Sequence, residues 1–158
     1  MPGTNLSEKG RQLDPMTLTK AQEEEIIATI EHYATAYRKK DIRAFSTIFS
    51  PEISGFGSGA DEVIHNHADL IRQIRRDVSQ ADVHAVAFSD RQIIGDGRIA
   101  WVTSKSTMTF SVGGSAKQTL SGRSTMVLKN TGSRWVIAQL HFSLPFGGQS
   151  TGQSFPGA

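Results

Sequence analysis

The chain has 158 residues, 37% hydrophobic and 20% charged, a balance that suits one globular domain with a real core. Seventeen lysines and arginines against 15 aspartates and glutamates leave a net charge of only +2, which marks no nucleic-acid-binding surface. The absence of cysteine excludes disulfides, thiol catalysis and thiolate metal sites.

Residues 1–17 are polar and punctuated by Gly and Pro, and read as a flexible N-terminal arm. They lack the apolar core of a signal peptide, and nowhere does the chain approach the roughly 18 consecutive apolar residues of a membrane span. The expectation is a soluble, cytoplasmic protein with neither membrane nor nucleic-acid partner.

Thr19 opens a capping box with Gln22, in which each side chain can satisfy a free backbone N–H. Ile26, Ile27, Ile30, Tyr33, Ala34 and Tyr37 then recur at helical spacing, predicting a helix to about Lys40. Asp41 caps a short second helix with Ile42, Phe45, Ile48 and Phe49 on its buried face, ended by Pro51. A short strand loosened by three glycines follows in 52–62. A third helix from His67 to Gln80 turns Leu70, Ile71, Ile74 and Val78 inward. Its arginines, Arg72, Arg75 and Arg76, alternate with Asp69 and Asp77 and read as a solvated face.

After Ala81 the pattern changes to period two over 82–94, 98–112, 118–129 and 133–144. Short turn sequences such as Gly95-Asp96-Gly97 and Asn130-Thr131-Gly132 join these strands into an antiparallel meander. Residues 146–158 are rich in Gly, Ser and Gln and read as a disordered tail. Helices first and a sheet second make an α+β domain over 18–145.

Asp61, Glu62, His65, His67 and Asp69 crowd together, but a His-x-His pair at a helix start splays its rings apart, so no metal site is read here. Asp61 and Glu62 follow a glycine-rich strand end and stand as general-base candidates. In Trp135–Leu144, strict alternation gives one apolar face, Val136, Ala138, Leu140, Phe142 and Leu144. The other face carries Trp135, Ile137, Gln139, His141 and Ser143, joined by Arg123 and Thr125 of the preceding strand. That mixture suits a subunit contact, where amphipathic groups bury area and find polar partners.

Three stretches carry a family resemblance: "YATAYRKKDIRAFSTIFSPE", "GFGSGADEVI" and "RSTMVLKNTGSRWVIAQLHFSLP". They resemble SnoaL-like domains of the nuclear-transport-factor-2-like superfamily, including the association domain of calcium/calmodulin-dependent protein kinase II. The resemblance implies a cone-shaped, cystatin-like fold, with three N-terminal helices packed on a curved, mostly antiparallel sheet. It also implies a homodimer through the outer sheet face.

Ketosteroid isomerases share this fold, and their tyrosine falls on Tyr33. Their base falls near Gly57 and their second acid near Thr125, so neither carboxyl is matched. The arginine positions of the kinase association domain fall on Thr103, Met126 and Phe142, which implies a more apolar pocket. The pocket expected here is lined by Tyr33, Tyr37, Trp101, Thr103, Met126 and Phe142, takes a small organic molecule and needs no cofactor. One alternative is an isomerase, cyclase or dehydratase on a polyketide-like or steroid-like substrate, using Tyr33 with Asp61 or His65. The other is an oligomerisation module.

Overall fold

The computed structural model describes residues 17–158, so the expected N-terminal arm lies outside the described residues but for its last position. Among the described residues there are three helices, α1 (Lys20–Lys39), α2 (Ile42–Ile48) and α3 (His67–Gln80). The strands are β1 (Phe49–Phe56), β2 (Val63–Ile64), β3 (Asp82–Gly95), β4 (Ile99–Ser111), β5 (Gln118–Asn130) and β6 (Trp135–Ser143).

The capping box forms: the Gln22 N–H donates to the Thr19 hydroxyl at 3.2 Å, and the Thr19 N–H donates to Gln22 Oε1 at 2.9 Å. Asp41 caps α2 by accepting from the Ala44 N–H at 3.1 Å. Asn66 caps α3 in the same way, from the Asp69 N–H at 2.9 Å. Helix α2 stops at Ile48, however, and Phe49 opens a strand that runs through Pro51. Proline is tolerated there because the pairing of β1 with β6 is irregular between Phe49 and Ser54, so no ladder hydrogen bond is lost.

All six strands form one curved sheet in the order β2-β1-β6-β5-β4-β3. The expected meander is β3 to β6, each pair antiparallel. Its closing strand also pairs in parallel with β1, a contact between distant parts of the chain that local patterning does not reveal. At the β3–β4 turn Asp96 Oδ1 accepts from the N–H groups of Arg98 and Ile99, at 3.0 and 3.1 Å. Residues 146–158 run as a series of turns without helix or strand.

The core lies between the helices and the inner sheet face, where Ile26, Ile30, Phe45, Ile53, Leu128 and Ile137 are buried. One expectation about this face is overturned. Trp135 is 2% exposed, and its carbonyl accepts from the Thr29 hydroxyl of α1 at 3.4 Å, so it cannot serve an outer interface. The physical reason is a bulge. Val127 pairs with Gln139 while Leu128 pairs with Ile137, which leaves Ala138 as an extra residue in β6. Alternation changes phase at that point, so Trp135 and Ile137 face the core together with Leu140, whereas Gln139 and His141 face outward.

Gly55 sits against the same strand. Its φ is +147°, and a Cβ there would stand 1.8 Å from the Leu140 carbonyl oxygen, so only glycine lets β1 lie this close to β6.

Candidate functional site

Where the sheet curves away from the helices, a cavity of about 580 Å³ opens between α1, α3 and the inner sheet face. Helix α1 presents Tyr33 and Tyr37 one turn apart. Helix α3 adds Leu70, Gln73 and Asp77, which follow one another at helical spacing on one face. Strands β3 and β6 bring Phe88 and Phe142. The Tyr33 ring lies 5.9 Å from Phe88 and 6.2 Å from Phe142 between centroids, and 5.2 Å edge-on from Tyr37. The wall is thus largely aromatic and aliphatic, with polar groups gathered where the two helices meet.

At that end the Tyr37 hydroxyl donates to Asp77 Oδ2 at 3.0 Å, tying α1 to α3. Burial pushes both tyrosines well above the ordinary phenol value, so each keeps its proton and remains a donor. Burial likewise raises the Asp77 carboxyl above its ordinary value of 3.8; the Tyr37 hydrogen bond pulls it down, and the neighbouring Glu62 pushes it up. Glu62 also borders the cavity, but its carboxylate is engaged by Arg76 Nη2 at 3.1 Å and by the Gly59 N–H at 2.8 Å.

The expected base candidates lie elsewhere. Asp61 is exposed and paired with Arg76 Nη1 at 2.6 Å, which holds its carboxyl below the usual carboxylate range. The reason is that the chain after β1 turns Asp61 out toward α3, away from the cavity. His65 is exposed as well, just past the end of β2, while Ile64 beside it takes the place on the cavity wall.

Trp101 and Thr103 are not on the wall either. Ala100 and Val102 take the inner face, so Trp101 and Thr103 stand on the outer one. Met126 does face inward, yet it is packed into the core and does not border the cavity. Tyr33, Tyr37 and Phe142 are brought together. Of the outer-face candidates, Arg123, Thr125, Gln139 and His141 lie on that face in neighbouring register, while Ser143 reaches the cavity rim.

Asp77 is the site residue that sequence reasoning missed, by grouping it with the surface charges of α3. A signal was present: Asp77 stands seven residues after Leu70 and three after Ile74, on the apolar stripe. Among the described residues, no three His, Cys, Asp or Glu side chains converge to hold a metal ion. Nor is any described helix long and apolar enough to cross a membrane.

Residues 26–147 match the SnoaL-like domain. The chain belongs to the SnoaL-like domain family. Several solved structures share its fold. A nuclear transport factor 2-like superfamily protein from Salmonella enterica is 18% identical, with 87% of this chain and 100% of that one covered and a TM-score of 0.73. A candidate dehydratase of the same superfamily from Streptomyces avermitilis is 14% identical, with 81% and 99% covered and a TM-score of 0.71. A candidate calcium/calmodulin-dependent protein kinase II association domain from Xanthomonas campestris is 15% identical, with 83% and 94% covered and a TM-score of 0.70. At these identities the SnoaL-like chain shares a fold with them and no activity follows. No curated protein matches its sequence.

Because burial raises the Asp77 carboxyl, the unfolded chain gives up this proton first as the pH climbs. The carboxyl therefore withdraws stability between its ordinary value of 3.8 and its raised folded value. Urea unfolding across that window should show the wild type losing stability relative to Asp77→Asn as pH rises. A difference independent of pH would contradict this placement of Asp77.

Proposed function

We propose that this SnoaL-like protein binds a small, largely apolar organic molecule in the cavity beneath its sheet. The observation that carries the reading is the cavity itself. Its 580 Å³ falls within the roughly 300–1,000 Å³ of small-molecule sites, and its largely apolar wall carries its carboxyl groups, Glu62 and Asp77, beside Gln73 of α3. Such a division anchors one functional group and leaves the body of the ligand to be held by burial. An open cavity disfavours a purely oligomeric role, for which the space would be filled by side chains. Nile red should therefore bind saturably, with one dye per chain. Met108→Trp, which places an indole in the cavity, should weaken binding roughly tenfold or more at unchanged thermal stability. A dye that never saturates would overturn the reading.

A second reading, an isomerase, cyclase or dehydratase, is favoured by Asp77 in particular. A carboxyl of raised proton affinity can take a proton from carbon beside a carbonyl group, while the Tyr33 hydroxyl steadies the enolate oxygen. The protein would then speed exchange of the α-hydrogens of 2-tetralone in D₂O, and Asp77→Asn would abolish the acceleration. Exchange at the buffer rate in both proteins would leave binding alone.

We further propose that the protein forms a homodimer through the outer sheet face. That face exposes Phe56 and Ile94, with the Phe56 ring 5.5 Å from the His141 imidazole. An aromatic patch beside polar Thr125 and Gln139 supports such a contact. His141→Ala should weaken the dimer by about 1–3 kcal/mol through an unsatisfied partner. Sedimentation on dilution that is indifferent to the substitution would count against this surface.

A further inference from the structure

The charge of the ligand can be specified as well, on the reading that the cavity is a binding site. Among the described residues, the ionisable groups bordering it are two carboxyls, Glu62 and Asp77, and two tyrosines; no described lysine, arginine or histidine lines it. Glu62 is already matched by Arg76 and by the Gly59 N–H. Arg76 gives its other terminal nitrogen to Asp61, at 2.6 Å, and so is directed away from the next residue in sequence. Asp77 is left with a neutral partner. Among the described residues the Tyr37 hydroxyl is the one side chain that hydrogen-bonds its carboxyl, through Oδ2 at 3.0 Å.

An ionised carboxylate in such a place has lost hydration and feels Arg76 only through space, without a hydrogen-bonded opposite charge, and a cation supplied by the ligand would complete the balance. The surroundings suit one. Tyr33, Phe88 and Phe142 cluster with centroids 5.9–6.2 Å apart, offering ring faces and edges to a cationic head and an apolar body. Gln73 stands one helical turn before Asp77 on the same wall and provides an amide oxygen for a second ammonium hydrogen. A carboxylate or phosphate ligand would instead meet two acids, with no cation among the described wall residues to receive it.

We propose that the cavity takes a hydrophobic amine, an apolar body of two or three fused rings carrying a protonated nitrogen that pairs with Asp77. Asp77 then serves as an anchor for the ligand, so the inference deepens the binding reading and does not depend on proton transfer.

Three anthracene probes with a common ring system test it: 2-(anthracen-9-yl)ethylamine, the corresponding alcohol, and anthracene-9-acetate, titrated at neutral pH by their own fluorescence. The wild type should bind the amine roughly ten- to hundredfold tighter than the alcohol, the advantage expected for a charge-assisted hydrogen bond, and the acetate weakest. In Asp77→Asn the amine should fall to the level of the alcohol while alcohol binding persists, which also shows that the variant is folded. The comparison of amine with alcohol on the wild type stands even if the variant does not fold. Equal binding of amine and alcohol would overturn the amine assignment and leave the pocket intact. Failure of all three to bind would overturn the pocket reading and the assignment with it.

Discussion

The apolar stripe of α1 laid across the curved sheet is the contact on which the remaining structure rests. Ile26 and Ile30 are sealed between helix and sheet, and the next two turns carry Tyr33 and Tyr37 along the same stripe. The stripe therefore changes character along its length, from aliphatic to phenolic, without leaving the inner face. Where it is aliphatic the sheet closes onto it and the interior is solid. Where it is phenolic the strands curve away, and the same helix face becomes one wall of a cavity. Folding and the candidate site draw on one set of residues, and burial of the first half of α1 aims the second half.

The elements of this fold were largely legible because each is signalled locally. Capping at Thr19 and Asp41, the stripe of α1, and the turns around Asp96 and Asn130 depend on residues within a few positions of one another. What escaped was non-local or out of phase. The parallel pairing of β1 with β6 joins segments at opposite ends of the domain, and no local period reports it. The bulge at Ala138 shifts the alternation by one residue, so a reading that was sound for Gln139 and His141 failed for Trp135. Trp101 failed for a different reason. An aromatic residue in a long strand suits either face, and here the smaller Ala100 and Val102 take the inner one.

The site was legible in its apolar half and obscure in its polar half. Tyr33, Tyr37 and Phe142 follow from stripe and strand patterns. Asp77 does not, because an acid among arginines on a helix resembles a solvated charge until α1 is packed against it. The direction of Arg76 decides the matter: by pairing with Asp61 and with Glu62 at the cavity border, it leaves Asp77 to Tyr37. Charge counts along a helix cannot distinguish these partners, whereas the radial position of each side chain does.

The pairing of β1 with β6 also bears on how the chain reaches this state. Strand β1 is made before the meander, whereas β6, one of its two neighbours in the sheet, follows β3, β4 and β5 in the chain. Until then the inner side of β1, with Phe49 and Ile53, has only the helices to cover it, and its β6-facing edge holds unpaired backbone groups. The meander β3 to β5 can form by local hairpin closure, but the sheet is completed only when β6 slots between β5 and β1. Completion of the sheet therefore waits on a pairing between distant segments, whose loop-closure cost must be met before the contact rewards it.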